Sequence, residues 1–268
     1  MPLHSMWKGS LSFGLVNIPI AVYLATEGKE FSFNQLCEKA HKIRYKKWCP
    51  VEEREVSYSE IKKGYEISKN SYVVIEKQDL DGIKLKTTSS IDIKEFVDEK
   101  EVDPILIDKS YYVAPDNKKN KNDKAYSLLV KVLTDTKKVA VGKVVLRDKE
   151  HLVVIRPYQR ELVMHILHYQ DEIRPADEIS ELNEIQKVSL DSKELSLGKL
   201  LVENLSSEHL DLSKYSDTYT KELEKLIDSK TKGKPISAKP VEKVQETQDL
   251  VAALKASLQQ KTKVKTKR

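Results

Sequence analysis

Along the first two-thirds of the chain, apolar and polar residues alternate in short bursts separated by charged or turn residues. From Trp7 to Tyr23 (WKGSLSFGLVNIPIAVY) the pattern reads as two short strands around Gly14. Val16, Ile18, Ile20 and Val22 fall on one face and Asn17, Ala21 and Tyr23 on the other, the period-2 spacing of a half-buried strand. Pro19 has no N–H to give to a ladder, so this strand is expected at an edge, at a bulge or beside an irregular partner. Further strands are predicted over 43–49, 65–76, 91–97, 104–114, 138–147, 151–157 and 161–169, each rich in Val, Ile, Tyr or Thr. The stretch VAVGKVVLRDKEHLVVIRPY reads as a hairpin with RDKE near its turn, although no Asn-Gly pair marks it.

The period lengthens in a few places. Residues 124–133 (KAYSLLVKVL) repeat Ala125, Leu128, Leu129, Val132 and Leu133 at helical spacing. After Pro175 strands give way to helices: ADEISELNEIQKVSL with acids at its start, SLGKLLVENL, and SDTYTKELEKLIDSK with Ser216 or Asp217 available as a cap. Residues 230–240 (KTKGKPISAKP) have the composition of a flexible linker. VEKVQETQDLVAALKASLQQ, residues 241–260, then reads as one amphipathic helix with Val244, Val251, Leu254 and Leu258 on a stripe. The last eight residues, KTKVKTKR, are expected to be disordered. The fold class is therefore mixed and β-dominated: a barrel or heavily bent sheet with a few helices, then a helical C-terminal region and a basic tail.

Length and composition narrow this picture. At 268 residues the chain fits one large β-rich domain with an appended region, or two modest domains. Apolar residues make up 39% and charged residues 33%, globular but strongly solvated. No apolar run approaches the ~18 residues needed to span a bilayer. No basic and apolar leader opens the sequence. Two cysteines, Cys37 and Cys49, make no disulfide framework, and the chain reads as intracellular.

Charge is unevenly placed. Residues 230–268 hold 11 Lys/Arg against 3 acids, which leaves 36 basic and 39 acidic residues in 1–229. The positive excess of +5 thus lies wholly in the tail. A slightly negative body can still bind nucleic acid if its cations share one surface.

A catalytic constellation is hard to find. There is no GxxxxGK[ST] loop and no GxGxxG opening a helix, and Gly is scarce at eight residues. His165 and His168 form an HxxH pair, but within a strand-like run positions three apart face opposite sides, as in ordinary barrel or interface histidines. Cys37, His41 and Cys49 have ligand chemistry, yet zinc sites usually carry a close pair such as CxxC, and here Glu52 stands three after Cys49. No metal and no cofactor is assigned.

The basic stretch is the stronger signal. Between Lys39 and Val51 there are five cations (Lys39, Lys42, Arg44, Lys46, Lys47) and no acids, interleaved with Tyr45 and Trp48. Such side chains track phosphates without reading bases, with affinity that falls steeply with salt. Lys62 and Lys63 prolong it, while Glu52, Glu53, Glu55 and Glu60 interrupt it. By itself a charge run is as readily a solvated face.

The literal wording of the opening adds a resemblance. Trp7, Lys8, Gly9, Phe13, Gly14, Leu15, Pro19 and Tyr23 form a WKG–FGL–IP–Y signature similar to the start of the prokaryotic Ku proteins, DNA-end-binding factors of non-homologous end joining. The resemblance continues through IRYKKWCP, GYE, YVVIEKQDL, IDIKEFVD, DPILIDKSYYVAPD, KAYSLLVKVL, VLRDKEHLVVIRP and YQDEIRP, in order, over about residues 6–230. Some members of that family carry CPxC where this chain reads CPVE, which argues against a structural zinc.

The resemblance implies a Ku-type β-barrel core over 6–175 that opens the protein, as in the short prokaryotic form. An arm over about 29–70 would cross the duplex, and a helical region over 176–229 would embrace a second copy. It implies a non-enzymatic homodimer that rings duplex DNA ends without sequence specificity, with Lys39, Lys42, Arg44, Lys46, Lys47 and Arg54 as phosphate contacts. Arg147, Lys149 and Arg156, on or near the barrel hairpin, form a second group. The helix carrying Val251, Leu254 and Leu258 resembles the element that engages an ATP-dependent repair ligase of the D type. Its other reading is a helix folded back on the barrel. Lys261, Lys263, Lys265, Lys267 and Arg268 would add nonspecific DNA affinity, or merely solubility. The minimal form implies a cytoplasmic, nucleoid-associated protein with no membrane partner. Two alternatives remain: an architectural duplex-binding protein without end preference, and a metal-dependent nuclease built on His165, His168 and nearby acids.

Overall fold

The computed structural model describes residues 3–29, 31–83, 89–116, 123–146, 149–185, 188–233 and 251–254. In chain order the strands are β1 (Trp7–Phe13), β2 (Val16–Leu24), β3 (Trp48–Cys49), β4 (Arg54–Glu55), β5 (Lys63–Ser68), β6 (Ser71–Ile75), β7 (Ser90–Asp98), β8 (Ile107–Pro115), β9 (Lys138–Leu146), β10 (Lys149–Tyr158) and β11 (Glu161–Leu167). The helices are α1 (Lys77–Gly82), α2 (Asp123–Thr136), α3 (Ser180–Ile185), α4 (Ser192–Leu205) and α5 (Thr218–Thr231). The chain divides into two compact units, Met1–Arg174 and Pro175–Arg268.

Seven strands of the first unit close into a barrel in the order β1-β2-β8-β11-β10-β9-β7. Closure comes from parallel pairing of β1 with β7, Leu11 opposite Ile91. Alternation builds the core. Ile18, Ile20 and Val22 of β2, Val153 and Ile155 of β10, and Leu162, Met164 and Ile166 of β11 all point into one cluster. Fully burying each such side chain is worth about 1.5–3 kcal/mol. The β1–β2 turn at Gly14 holds φ +57°, a backbone region where glycine carries no steric cost. In β9 a Cβ on Gly142 would stand 2.6 Å from the Asp92 carbonyl oxygen, so the β7–β9 approach depends on the missing side chain.

Pro19 does not place β2 at an edge. Between β1 and β8, β2 pairs with β8 only over Ile20–Leu24, so the proline lies just past the end of that ladder. Its carbonyl accepts from the Asp116 amide at 3.0 Å, and its missing N–H costs no rung.

Helix α2 seals the interior with Tyr126, Leu129 and Leu133, at spacings of three and four. The Tyr126 hydroxyl donates to the Val113 carbonyl at 2.6 Å and accepts from the Leu162 amide at 2.8 Å. It thereby joins β8 to β11 where Val113 faces Leu162. Leu128 and Val132, which the periodicity also offered for burial, are exposed. The helix covers the barrel with only one narrow stripe.

Other expectations shift. The strand predicted over 43–49 shrinks to Trp48–Cys49, and 65–76 is a hairpin of β5 and β6. Residues Pro104–Leu106 form a 3-10 turn, so β8 starts at Ile107. The hairpin around RDKE exists, pairing Leu146 with Lys149. In the second unit, a 3-10 turn over Ala176–Glu178 precedes the short helix Ser180–Ile185. Helix α4 begins earlier than the SLGKLLVENL motif. Its cap is Asp191, whose carboxylate accepts from Lys193 N while Glu194 accepts from Asp191 N. Asp217 caps α5 through the Thr220 amide. No described helix is long and apolar enough to cross a membrane.

Candidate nucleic-acid interface

Between β2 and β7 the chain leaves the barrel. Among the described residues from 25 to 83, none is buried. Without a core to organise it, this arm takes its shape from turns. The Cys37 amide donates to the His41 carbonyl and the Ala40 amide to the Cys37 carbonyl, at 2.9 and 2.8 Å, around Ala40 at φ +60°. Ile43 N donates to Gln35 O at 3.0 Å, and the Tyr45 hydroxyl donates to the Gln35 side chain. A second hairpin follows immediately. Cys49 pairs with Arg54 and Trp48 with Glu55, and Val56 N donates to Lys47 O at 2.8 Å.

These hairpins sort the cations into two kinds. Lys46 Nζ lies 2.6 Å from Glu55, and the Glu55 carboxylate raises the pKa of that lysine. Arg54 spans Glu52 at 2.6 Å and Glu60 at 2.9 Å. Glu60 also accepts from the Ser57 amide, and the Ser57 and Arg54 bonds hold its carboxyl down at about 2. Lys62 pairs with Glu76 at 3.5 Å. By contrast Lys39, Lys42 and Arg44 enter no ion pair among the described residues, and Lys47 sits 4.4 Å over the Tyr58 ring. The sequence brought six arm cations forward together; the geometry ties Lys46 and Arg54 into the scaffold and leaves the other four presented outward. Glu52, Glu55 and Glu60, which looked like interruptions, are the ties.

On the barrel, Lys149 lies 3.9 Å from Glu172. Arg156 donates from Nε to His165 Nε2 at 2.9 Å, with Nη1 3.6 Å from Glu99 and the guanidinium 5.6 Å from the Tyr158 ring centre. Arg147 lies outside the described residues, as do Leu258, Lys261, Lys263, Lys265, Lys267 and Arg268. Residues 251–254 are helical. Val251 lines a shallow cleft of about 360 Å³ with Ser192, Lys193, Ser196 and Leu197 of α4, inside the second unit. Val251 and Leu254 are partly covered.

The ligand-like residues do not converge. Cys37 is exposed, Cys49 partly covered, and both are free thiols. No group of three or more His, Cys, Asp or Glu among the described residues could hold a metal ion. His165 and His168 do not share the expected strand: the first is buried on β11, while the second lies past its end and faces Glu172 at 3.5 Å. Sequence reasoning missed what His165 holds, since no motif links it to Ser110, Arg156 and Glu99.

Comparison with known proteins adds independent findings. The family model described as the Ku70/Ku80 beta-barrel domain matches residues 12–197. A "Non-homologous end joining protein Ku" of Archaeoglobus fulgidus is 41% identical over 258 residues, 96% of this chain and 99% of that protein. A protein of the same name from Heliobacterium modesticaldum is 40% identical over 262 residues, 97% of this chain and 93% of its own. Another from Bacillus subtilis is 38% identical over 263 residues, 96% of this chain and 82% of its own.

Proposed function

This chain belongs to the Ku family, and on that premise we propose that it is a non-enzymatic factor of non-homologous end joining that binds duplex DNA ends as a homodimeric ring. The observation that carries the reading is the arm. Among its described residues from 25 to 80 none is buried, and Val51 stands 89% and Tyr58 85% exposed. Exposed apolar surface on this scale marks an interaction site, and the outward cations beside it match phosphate rather than protein. Lys39, Lys42, Arg44 and Lys47 are the principal phosphate contacts. Lys46 and Arg54 act mainly by stiffening the hairpin.

A second copy supplies the cover. Helices α4 and α5 bury no residue, and Leu200, Val202, Leu205 and Tyr219 stand exposed. Two copies embracing through arms and helices would bury these faces and enclose a bore lined with cations. Such a ring loads only from a terminus, so it prefers ends without reading bases.

The segment carrying Val251 and Leu254 is the docking element for an ATP-dependent repair ligase of the D type, and it would exchange its cleft against α4 for a partner groove. Truncation after residue 240 should leave end binding largely intact and weaken stimulation of that ligase. Full stimulation by the truncated chain would remove the docking role.

Competition between linear and closed circular duplex of equal length tests the main reading. Linear DNA should win, and the protein should run as a dimer by native mass. Equal affinity for both forms would favour an architectural binder without end preference.

A further inference from the structure

Of the described residues, His165 is the one polar or charged side chain, tyrosines apart, that is buried. An imidazole costs more to bury than the valines around it unless its nitrogens are partnered. Both are. Nε2 accepts from Arg156 Nε at 2.9 Å, which leaves the proton on Nδ1 to donate to Ser110 Oγ at 2.8 Å. The relay crosses three adjacent strands, Arg156 on β10, His165 on β11 and Ser110 on β8, and ends at the surface.

There the guanidinium is fixed from three directions. His165 holds Nε, Glu99 stands 3.6 Å from Nη1, and the guanidinium carbon lies over the Tyr158 ring, 5.6 Å from its centre. Side-chain exposure is 32% for Arg156 and 57% for Glu99. The planar fork is therefore preorganised at the surface, with an exposed carboxylate already seated where an anionic oxygen would bind.

We propose that His165 is a positioning residue that aims the Arg156 fork at a DNA phosphate, with Glu99 as the resident anion that the phosphate displaces. The proposal rests on the duplex binding proposed above. It carries a pH consequence. A proton on Nε2 turns the acceptor into a donor facing a donor, and sets a second positive charge against Arg156. The fork then lets go. The groups facing His165 are Arg156 from β10 and Ser110 from β8, with Glu99 reached only through Arg156. None of the ion pairs among the described residues involves His165. Burial first and Arg156 second hold its pKa below the usual value of 6.5, so the release comes only below that pH.

The test measures affinity of the full chain for linear duplex against salt, at about pH 7.5 and in steps downward from about pH 6.5 until release is complete. Arg156→Ala should weaken binding roughly tenfold at the higher pH and flatten the salt slope by about 0.9 for each Arg156 engaged. His165→Gln, whose amide oxygen reaches the same Nε–H, should match wild type at the higher pH and escape the extra acid loss. Glu99→Gln should bind a few-fold tighter. Other histidines titrate in every variant, so the difference from wild type isolates this one. Parallel acid losses in wild type and His165→Gln, or an unchanged salt slope in Arg156→Ala, would overturn the proposal alone. If His165→Gln melts early, Arg156→Ala decides: the extra acid loss must vanish there, and its persistence is equally fatal. A wild-type chain that binds no linear duplex overturns both this proposal and the one beneath it.

Discussion

The barrel and the arm are built from similar strand-forming residues and reach order by opposite routes. In the barrel Leu11, Ile18, Ile20, Val113, Val153 and Leu162 are fully buried, and each strand pairs with the next until the ring closes. In the arm no described residue from 25 to 83 is buried, the sheets have two strands, and ion pairs to Glu52, Glu55 and Glu60 stand in for a core. Exposed ion pairs contribute at most about 1 kcal/mol each, and an isolated two-stranded hairpin is marginal in water. The arm is thus shaped but weakly held, as suits a segment completed by what it binds. The barrel has a core of its own, and it holds Arg156 by the buried His165 as well as by the exposed Glu99.

The sharpest way to break this contrast is to reverse the arm's outward charge. Replacing Lys39, Lys42, Arg44 and Lys47 together by Glu should lower duplex affinity by on the order of a thousandfold or more in a salt titration, since each chain loses about four phosphate contacts. The melting temperature should hardly move, because none of the four is buried. Retained binding would refute the assignment of the arm; a large fall in melting temperature would show it to be part of the barrel's stability.

The converse change strikes the barrel. Leu162→Ala removes a fully buried side chain near the start of β11 and should cost about 2–5 kcal/mol in a denaturant titration. The arm's local turns should survive in whatever fraction stays folded. Tyr126→Phe should cost about 1–3 kcal/mol, because it strips partners from the Val113 carbonyl and the Leu162 amide at once. A neutral result would mean that β8 and β11 pair there without the helix.

The two regions also differ in how far they were legible in the sequence. Strand β2 could be read because a barrel imposes period 2, and Ile18, Ile20 and Val22 obey it. The arm imposes nothing of the kind: Ile43, Tyr45 and Trp48 are all exposed, so their alternation carried no facing and the strand over 43–49 was overdrawn. In α2 the apolar surplus misled in another way, since Leu128 and Val132 sit one notch off the packed stripe. The cations of the site were visible as a run. Their division into held and presented was not, because Lys46 meets Glu55 only once the β3–β4 register is known. His165 was visible only as half of an HxxH pair; its contacts need three strands side by side.

The smallest expected effect is the most discriminating, because acid should loosen the two regions in the reverse of their order of stability. His165 is held below 6.5 in the fold, so the unfolded chain takes up the proton first. Its contribution is fully present above about pH 6.5 and falls away as the pH drops further. Glu60 in the arm is held at about 2 against an ordinary 4.5. The Ser57–Glu60–Arg54 cap therefore stays whole until the pH passes below 4.5, and is lost on the way to about 2. Near pH 5 the strong barrel should show local loosening around His165 and Ser110 in amide exchange, while the Ser57 amide of the weak arm stays unchanged. Earlier exposure of Ser57 would mean that the arm's ion pairs do not define its turns, and the division between held and presented cations would fall with them.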